Sequence, residues 1–161
     1  MTLETLSLLA APAAHAELLR CCGSKRWATL MIERRPFRSR DGVHALAERI
    51  WWSLDVADWL EAFAAHPRIG ERPTSAWSSE EQSASAATAT ATVVHRLAEL
   101  NRAYEQRFGY TFLVCATGRS ATDLLGVLER RLANHPADEL QIAAAEQRKI
   151  TALRLDKLLH A

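Results

Sequence analysis

The sequence predicts an all-α protein, and three observations carry that expectation. Alanine, the best helix former, occurs 29 times in 161 residues, against 11 for glycine and proline together. Stretches rich in Ala and Leu are punctuated by helix stops at Gly23, Pro36, Pro67, Gly109 and Pro136. The one strand-like run, YTFLVCATG at 110–118, has no partner strand elsewhere, so it reads as a buried extended segment. At 17.9 kDa the chain fits a single domain spanning 1–161.

Taken in order, residues 3–22 read as one helix that Gly23 ends. A second runs through RWATLMIERR to Pro36, and the turn-rich PFRSRDG follows. Helices are expected near 43–53 and 55–65, the latter capped by Asp55 and ended by Pro67, because proline pushes its predecessor out of the α region. PRIGERPTSAW at 67–77 reads as a loop. The compositionally poor SASAATATAT at 83–92 is either a flexible linker or a closely packed helix. The helix is preferred, since it would run unbroken into VVHRLAELNRAYEQRF and stop at Gly109. Ser120, with Asp123 three residues on, opens another helix that ends at Asn134-His135-Pro136. The last helix covers about 137–159.

Composition excludes several function classes. Lys plus Arg number 20 and Asp plus Glu 19, a net charge of +1, which argues against a general nucleic-acid surface. No apolar run approaches the roughly 20 residues of a membrane span. Three cysteines, two of them adjacent, make no disulfide framework and suit a reducing compartment. The opening MTLETLSLLAAPAAHA carries Glu4, no Lys or Arg, and a breaking Pro12, unlike a secretory signal. Leu159-His160-Ala161 is not a peroxisomal tripeptide, so the expected location is cytoplasmic.

Three places carry candidate chemistry. In the first, Trp59, Phe63 and His66 fall at i, i+4 and i+7 on one helix face, which turns His66 inward at a helix C-terminus. There the dipole favours the charged imidazole and burial opposes it. Such a histidine suits acid–base work near neutral pH, or simply caps the helix. The second is Ser78-Ser79-Glu80-Glu81-Gln82. Ser78 and Glu81 fit a capping box, while a helix start with free amides also suits an anionic ligand that Glu81 and Gln82 could orient. The third is Arg154. Ala143, Gln147, Ile150, Arg154 and Leu158 share about a quarter of the last helix's surface, with Leu140 on the same side. An arginine on an apolar face must meet an anion or carbonyls. Either an internal salt bridge or a substrate carboxylate satisfies it.

Weaker features are read as structural. The six histidines lack metal-ligand spacing. Arg34, Arg35, Arg38 and Arg40, flanked by Glu33 and Asp41, form a solvated loop. Cys115 is a core residue, and the tryptophans are mostly core, although Trp77 sits beside the second candidate place.

At these residues the chain resembles the 2-oxo-4-hydroxy-4-carboxy-5-ureidoimidazoline (OHCU) decarboxylases of urate degradation. The resemblance is nearly full length. It runs through SKRWATLM and RPFRS, DWLEAFAAHPRIGE, WSSEEQ, NRAYEQRFGYTFLVCATGRS, RRLANHPADE and QRKITALRL. It implies an all-α, cofactor-free and metal-free carboxy-lyase that converts OHCU to (S)-allantoin. It also implies His66 as catalytic proton donor, with Glu81 and Arg154 in the catalytic set. Pro67, Ser78 and Gln82 would contact substrate, as would Phe112, Leu113, Val114, Cys115 and Ala116, largely through backbone. Some relatives are fused to a transthyretin-like hydrolase, for which this chain has no room. A homodimer agrees with the resemblance, although no heptad seam marks an interface. The competing reading is a non-catalytic all-α interaction module, which leaves Ser78 and Glu81 as a cap and Arg154 as an internal salt bridge. A zinc hydrolase is a third.

Overall fold

The computed structural model describes residues 1–69 and 90–160. Among the described residues there are eight helices and no strand. They are α1 (Leu3–Leu8), α2 (Ala11–Cys21), α3 (Lys25–Ile32), α4 (Arg40–Ser53), α5 (Val56–Ala64), α6 (Ala91–Phe108), α7 (Ala121–Leu132) and α8 (Pro136–Leu158). The all-α expectation is met. The chain divides into two compact units, one of 1–62 with 147–161 and one of 63–146, and α5 and α8 contribute residues to both.

In the first unit the expected single helix over 3–22 is two. Leu9 and Ala10 leave the helical region, at ψ 143° and 142°, and α2 restarts with Pro12 in its first turn. Inside a continuous helix Pro12 would remove a hydrogen bond and clash with the carbonyl four residues back; at a helix start its missing N–H costs nothing. The freed carbonyls have a collector. The Arg35 guanidinium donates to Ser7 O at 3.3 Å and Leu9 O at 2.5 Å. Arg35, read as part of a solvated loop, is thus half-buried and structural.

Ser24 caps α3 by accepting from Trp27 N, and Glu61 takes the Lys25 N–H at 2.8 Å. Two of the otherwise unbonded amides at that helix start are thereby satisfied. Helix α3 ends at Ile32, earlier than Pro36. Helix α4 begins at Arg40, earlier than expected, because Ser39 accepts from Gly42 N. The core holds Leu6, Leu18, Trp27, Met31, Val43, Ile50, Trp51, Trp59 and Leu155. Buried indoles need an acceptor. Trp27 Nε1 donates to Ala47 O and Trp59 Nε1 to Trp51 O, each at 3.0 Å. Trp52 departs from the core expectation at 40% exposed, and Trp77 lies outside the described residues.

In the second unit Thr90 caps α6 by accepting from Val93 N, with extended backbone at Thr90. The helix therefore starts at Ala91, and the expected unbroken run from Ser83 does not pass through Thr90; residues 83–89 lie outside the described residues. Gly109 ends α6 at φ 81°, a left-handed conformation that favours glycine. Ser120 and Asp123 form a complete capping box on α7. Leu97, Leu100, Tyr104, Phe112, Val114, Ala121, Leu124 and Leu128 make one apolar cluster, with Ile69 and Ala116 packed against it.

Candidate functional site

His66 is half-buried and lies two residues beyond the end of α5, its N–H bonded to Phe63 O at 3.1 Å. The helix face of Trp59 and Phe63 is buried as expected. His66 does not continue that face in the helical sense, because Pro67 excludes the α region for its predecessor. What holds the His66–Ile69 turn is α6. Asn101 Nδ2 donates to Ile69 O at 3.3 Å, and Arg68 forks onto Glu105 through Nε–Oε1 at 2.5 Å and Nη2–Oε2 at 2.7 Å. Two parallel bonds fix an arginine more firmly than one.

Residues 111–116 run without helix, turn or bend, and Phe112, Leu113 and Val114 are buried. This agrees with the buried extended segment expected there. Cys115 is half-buried rather than core, and its N–H donates to Glu146 Oε2 at 2.8 Å. Arg131 Nη1 donates to Leu113 O at 2.6 Å. The same guanidinium reaches Glu139 Oε1 at 2.6 Å and lies over the Phe112 ring at 4.7 Å. Tyr104 Oη donates to Glu139 Oε1 at 2.6 Å, and Asn134 Nδ2 to Glu139 Oε2 at 2.9 Å.

Glu139 is fully buried and Tyr104 is also 0% exposed. Isolated, a carboxylate there would be very costly. Three donors, one of them the Arg131 cation, offset that cost. Burial, then the bond to Glu139, push the Tyr104 phenol far above its ordinary value, so it stays a donor at any working pH. An aromatic chain links the two segments: Phe63 to Tyr110 at 5.4 Å, Tyr110 to Tyr104 at 5.8 Å, and Tyr104 to Phe112 at 5.3 Å between ring centroids.

Thus α6 brings His66–Pro67 and the 112–116 segment onto one framework, held through Asn101, Tyr104 and Glu105 at i, i+3 and i+4. Sequence reasoning missed Arg131, Glu139 and Glu146. The signal was present: Leu124, Leu128 and Arg131 are spaced i, i+4, i+7, and Glu139, Ala143, Glu146 and Ile150 share a buried stripe. Each is a charge placed on an apolar face, as Arg154 is, and each needs a partner for the same reason. Ser78, Glu81 and Gln82 lie outside the described residues.

Arg154 belongs to the first unit, where it is buried at the C-terminal end of α2 and donates to Arg20 O at 3.4 Å. The face expected for it is real: Ala143, Gln147, Ile150 and Leu158 are all buried, and Leu140 partly so. Carbonyls at a helix C-terminus favour a cation. Beside it, burial pushes the Cys21 and Cys22 thiols up to about 12, and Arg154 opposes part of that rise. A separate cleft of about 140 Å³ in this unit is lined by His44, Trp51, Arg148, Thr151 and Leu155. Its charges bind one another or close neighbours, His44 Nε2 to Asp156 at 2.9 Å and Arg148 to Glu48 at 3.4 Å.

Fold and site together define a class: a small all-helical protein in which buried charged groups grip a short non-helical segment beside a histidine–proline turn. The OHCU decarboxylase family model matches residues 7–156. The chain is 42% identical over 146 residues to the uric acid degradation bifunctional protein TTL of Arabidopsis thaliana, covering 86% of this chain and 45% of that protein. It is 31% identical over 131 residues to the OHCU decarboxylase of Amia calva, covering 78% of this chain and 75% of that one. A crystal structure of an OHCU decarboxylase in the presence of (S)-allantoin superposes with a TM-score of 0.81 at 42% identity, over 89% of this chain and 96% of the other. An (S)-allantoin synthase structure shares the fold, with a TM-score of 0.78 at 18% identity, over 99% of this chain and 54% of the other. The chain belongs to the OHCU decarboxylase family. It spans less than half the length of the bifunctional plant protein.

Proposed function

We propose that this protein decarboxylates OHCU to (S)-allantoin in urate degradation, without a cofactor. The observation that carries the reading is the kinship, over 89% of the chain, with an OHCU decarboxylase structure obtained in the presence of (S)-allantoin. The chemistry asks for little. The bond from the ring carbon to the carboxylate breaks, carbon dioxide leaves, and the electron pair passes into the ring. The neighbouring carbon, which bears the ureido group, then takes a proton on one face, and the ring nitrogen takes another. The hydroxyl on the carbon that lost carbon dioxide gives up its own to become a carbonyl.

In this reading His66 delivers the proton. Its half-buried place on a turn pinned by Asn101 and Glu105 supports the role, since a proton donor must be held in one direction. Arg154 provides a planar cation for the carboxylate or a ring oxygen. Phe112 to Ala116 present backbone donors and acceptors to the ureido and ring amide groups. Ser78, Glu81 and Gln82 orient the same groups, with Glu81 in the catalytic set and Pro67 lining the turn.

The reading extends to one family domain over 1–161, supported by a match that spans 7–156. A homodimer and a cytoplasmic location belong to it. Three cysteines outside any disulfide suit a reducing compartment, and among the described residues no helix is long and apolar enough to cross a membrane.

The test uses circular dichroism on freshly generated OHCU, which decays unaided to racemic allantoin. Protein should speed product formation and give a single hand. Racemic product at the spontaneous rate would refute the reading and favour an interaction module.

A further inference from the structure

The segment 111–116 sits among buried residues without a β-partner, so its backbone groups must find other bonds. Two of them find charged side chains: the Leu113 carbonyl takes Arg131 at 2.6 Å and the Cys115 N–H goes to Glu146 at 2.8 Å. In a chain that runs straight, backbone groups two residues apart face the same edge. Arg131 and Glu146 therefore hold one edge of the segment. The other edge carries the N–H and C=O of Phe112 and Val114, which bond to no group among the described residues. A buried donor–acceptor pair left open in this way suits a ligand with its own N–H and C=O in alternation, as in a ureide.

We propose that Arg131 and Glu146 are positioning residues for the decarboxylation. They fix the 112–116 segment by one edge so that the opposite edge meets substrate in a single register. The proposal rests on the function proposed above. Three features of the geometry set these residues apart from ordinary packing. Each bonds to backbone of the segment. Arg131 is itself aimed by Glu139, which is held by Tyr104 and Asn134. The two come from different helices, α7 and α8, and pull on the segment at two points.

The decisive comparison is Glu146→Ala with Glu146→Gln in the full chain. The glutamine keeps an oxygen that can accept the Cys115 N–H; the alanine does not. For Glu146→Ala, KM for OHCU should rise about tenfold, and the Cys115 amide should exchange with solvent about tenfold faster. Glu146→Gln should stay near wild type in both. An alanine variant that is folded with unchanged kcat and KM overturns the proposal. So does a glutamine variant as impaired as the alanine, because charge and not the amide grip would then matter.

Should Glu146→Ala not fold, Arg131→Lys decides. Lysine keeps the charge toward Glu139 but cannot fork to Leu113 O, so KM should rise similarly, and wild-type KM overturns the proposal. A wild-type chain that forms no (S)-allantoin refutes the proposed function and this role with it. An active wild type with indifferent variants refutes this role alone.

Discussion

Replacing Arg131 by methionine tests whether the buried network holds the second unit together. The guanidinium bonds Glu139 Oε1 at 2.6 Å, Leu113 O at 2.6 Å and Tyr104 Oη at 3.4 Å, with both charged side chains almost wholly buried. Methionine fills much of the volume but donates nothing. Glu139 would then keep Tyr104 and Asn134 as donors while losing its counter-charge. Breaking one side of a buried pair costs about 3–5 kcal/mol. For a chain of this size that lowers Tm by roughly 6–20 °C. Replacing both partners, Arg131→Met with Glu139→Met, removes the stranded charge and should recover part of the loss. Urea unfolding followed by far-ultraviolet circular dichroism gives all the corners of the cycle. A single-variant loss under about 1 kcal/mol would refute the reasoning. So would a double variant whose loss equals the sum of the singles, since contacting partners that matter to each other are not additive.

His66→Asn should abolish stereospecific (S)-allantoin formation while leaving Tm close to wild type, because the imidazole is only half-buried; retained activity would remove His66 from the chemistry. Arg154→Lys should lower activity, since a point charge replaces a planar fork, and unchanged kinetics would make Arg154 structural. The Cys21 and Cys22 thiols rise from 9 to about 12 on folding, so the folded state keeps protons that the unfolded chain releases. Their contribution is whole below pH 9 and is lost as pH climbs from 9 toward 12. Each tenfold gain in proton affinity corresponds to about 1.4 kcal/mol. Urea midpoints between pH 8 and 10.5 should fall more steeply for wild type than for Cys22→Ala. Equal slopes would refute the assignment. Gly109→Ala forces an ordinary side chain to φ 81° and should cost about 1 kcal/mol by thermal melt.

Local rules carried most of the fold. Alanine content, proline and glycine stops and the Ser120–Asp123 cap give helices whose bounds fall within a few residues of those observed. The exceptions have local causes that only packing resolved. The break at Leu9–Ala10 needs Pro12 to be a helix start, and the carbonyl of Leu9 is held by Arg35, 26 residues further along the sequence. Thr90 could have been a helical residue in an alanine-rich run; its cap of Val93 makes it a boundary.

The sequence by itself determined the helical class, the family and the residues proposed for the chemistry, because those rest on propensity, spacing and a linear order of motifs. The tertiary structure decided what holds two of those motifs. Asn101, Tyr104 and Glu105 look like an ordinary polar helix face, and Arg131, Glu139 and Glu146 like solvated charges, until α6, α7 and α8 bury all of them but Glu105, which stays half-buried against Arg68. Whether a charge is solvated or buried depends on which neighbours cover it. Only the folded chain makes that choice, and here it turns six unremarked side chains into the frame of the His66 turn and the 112–116 segment.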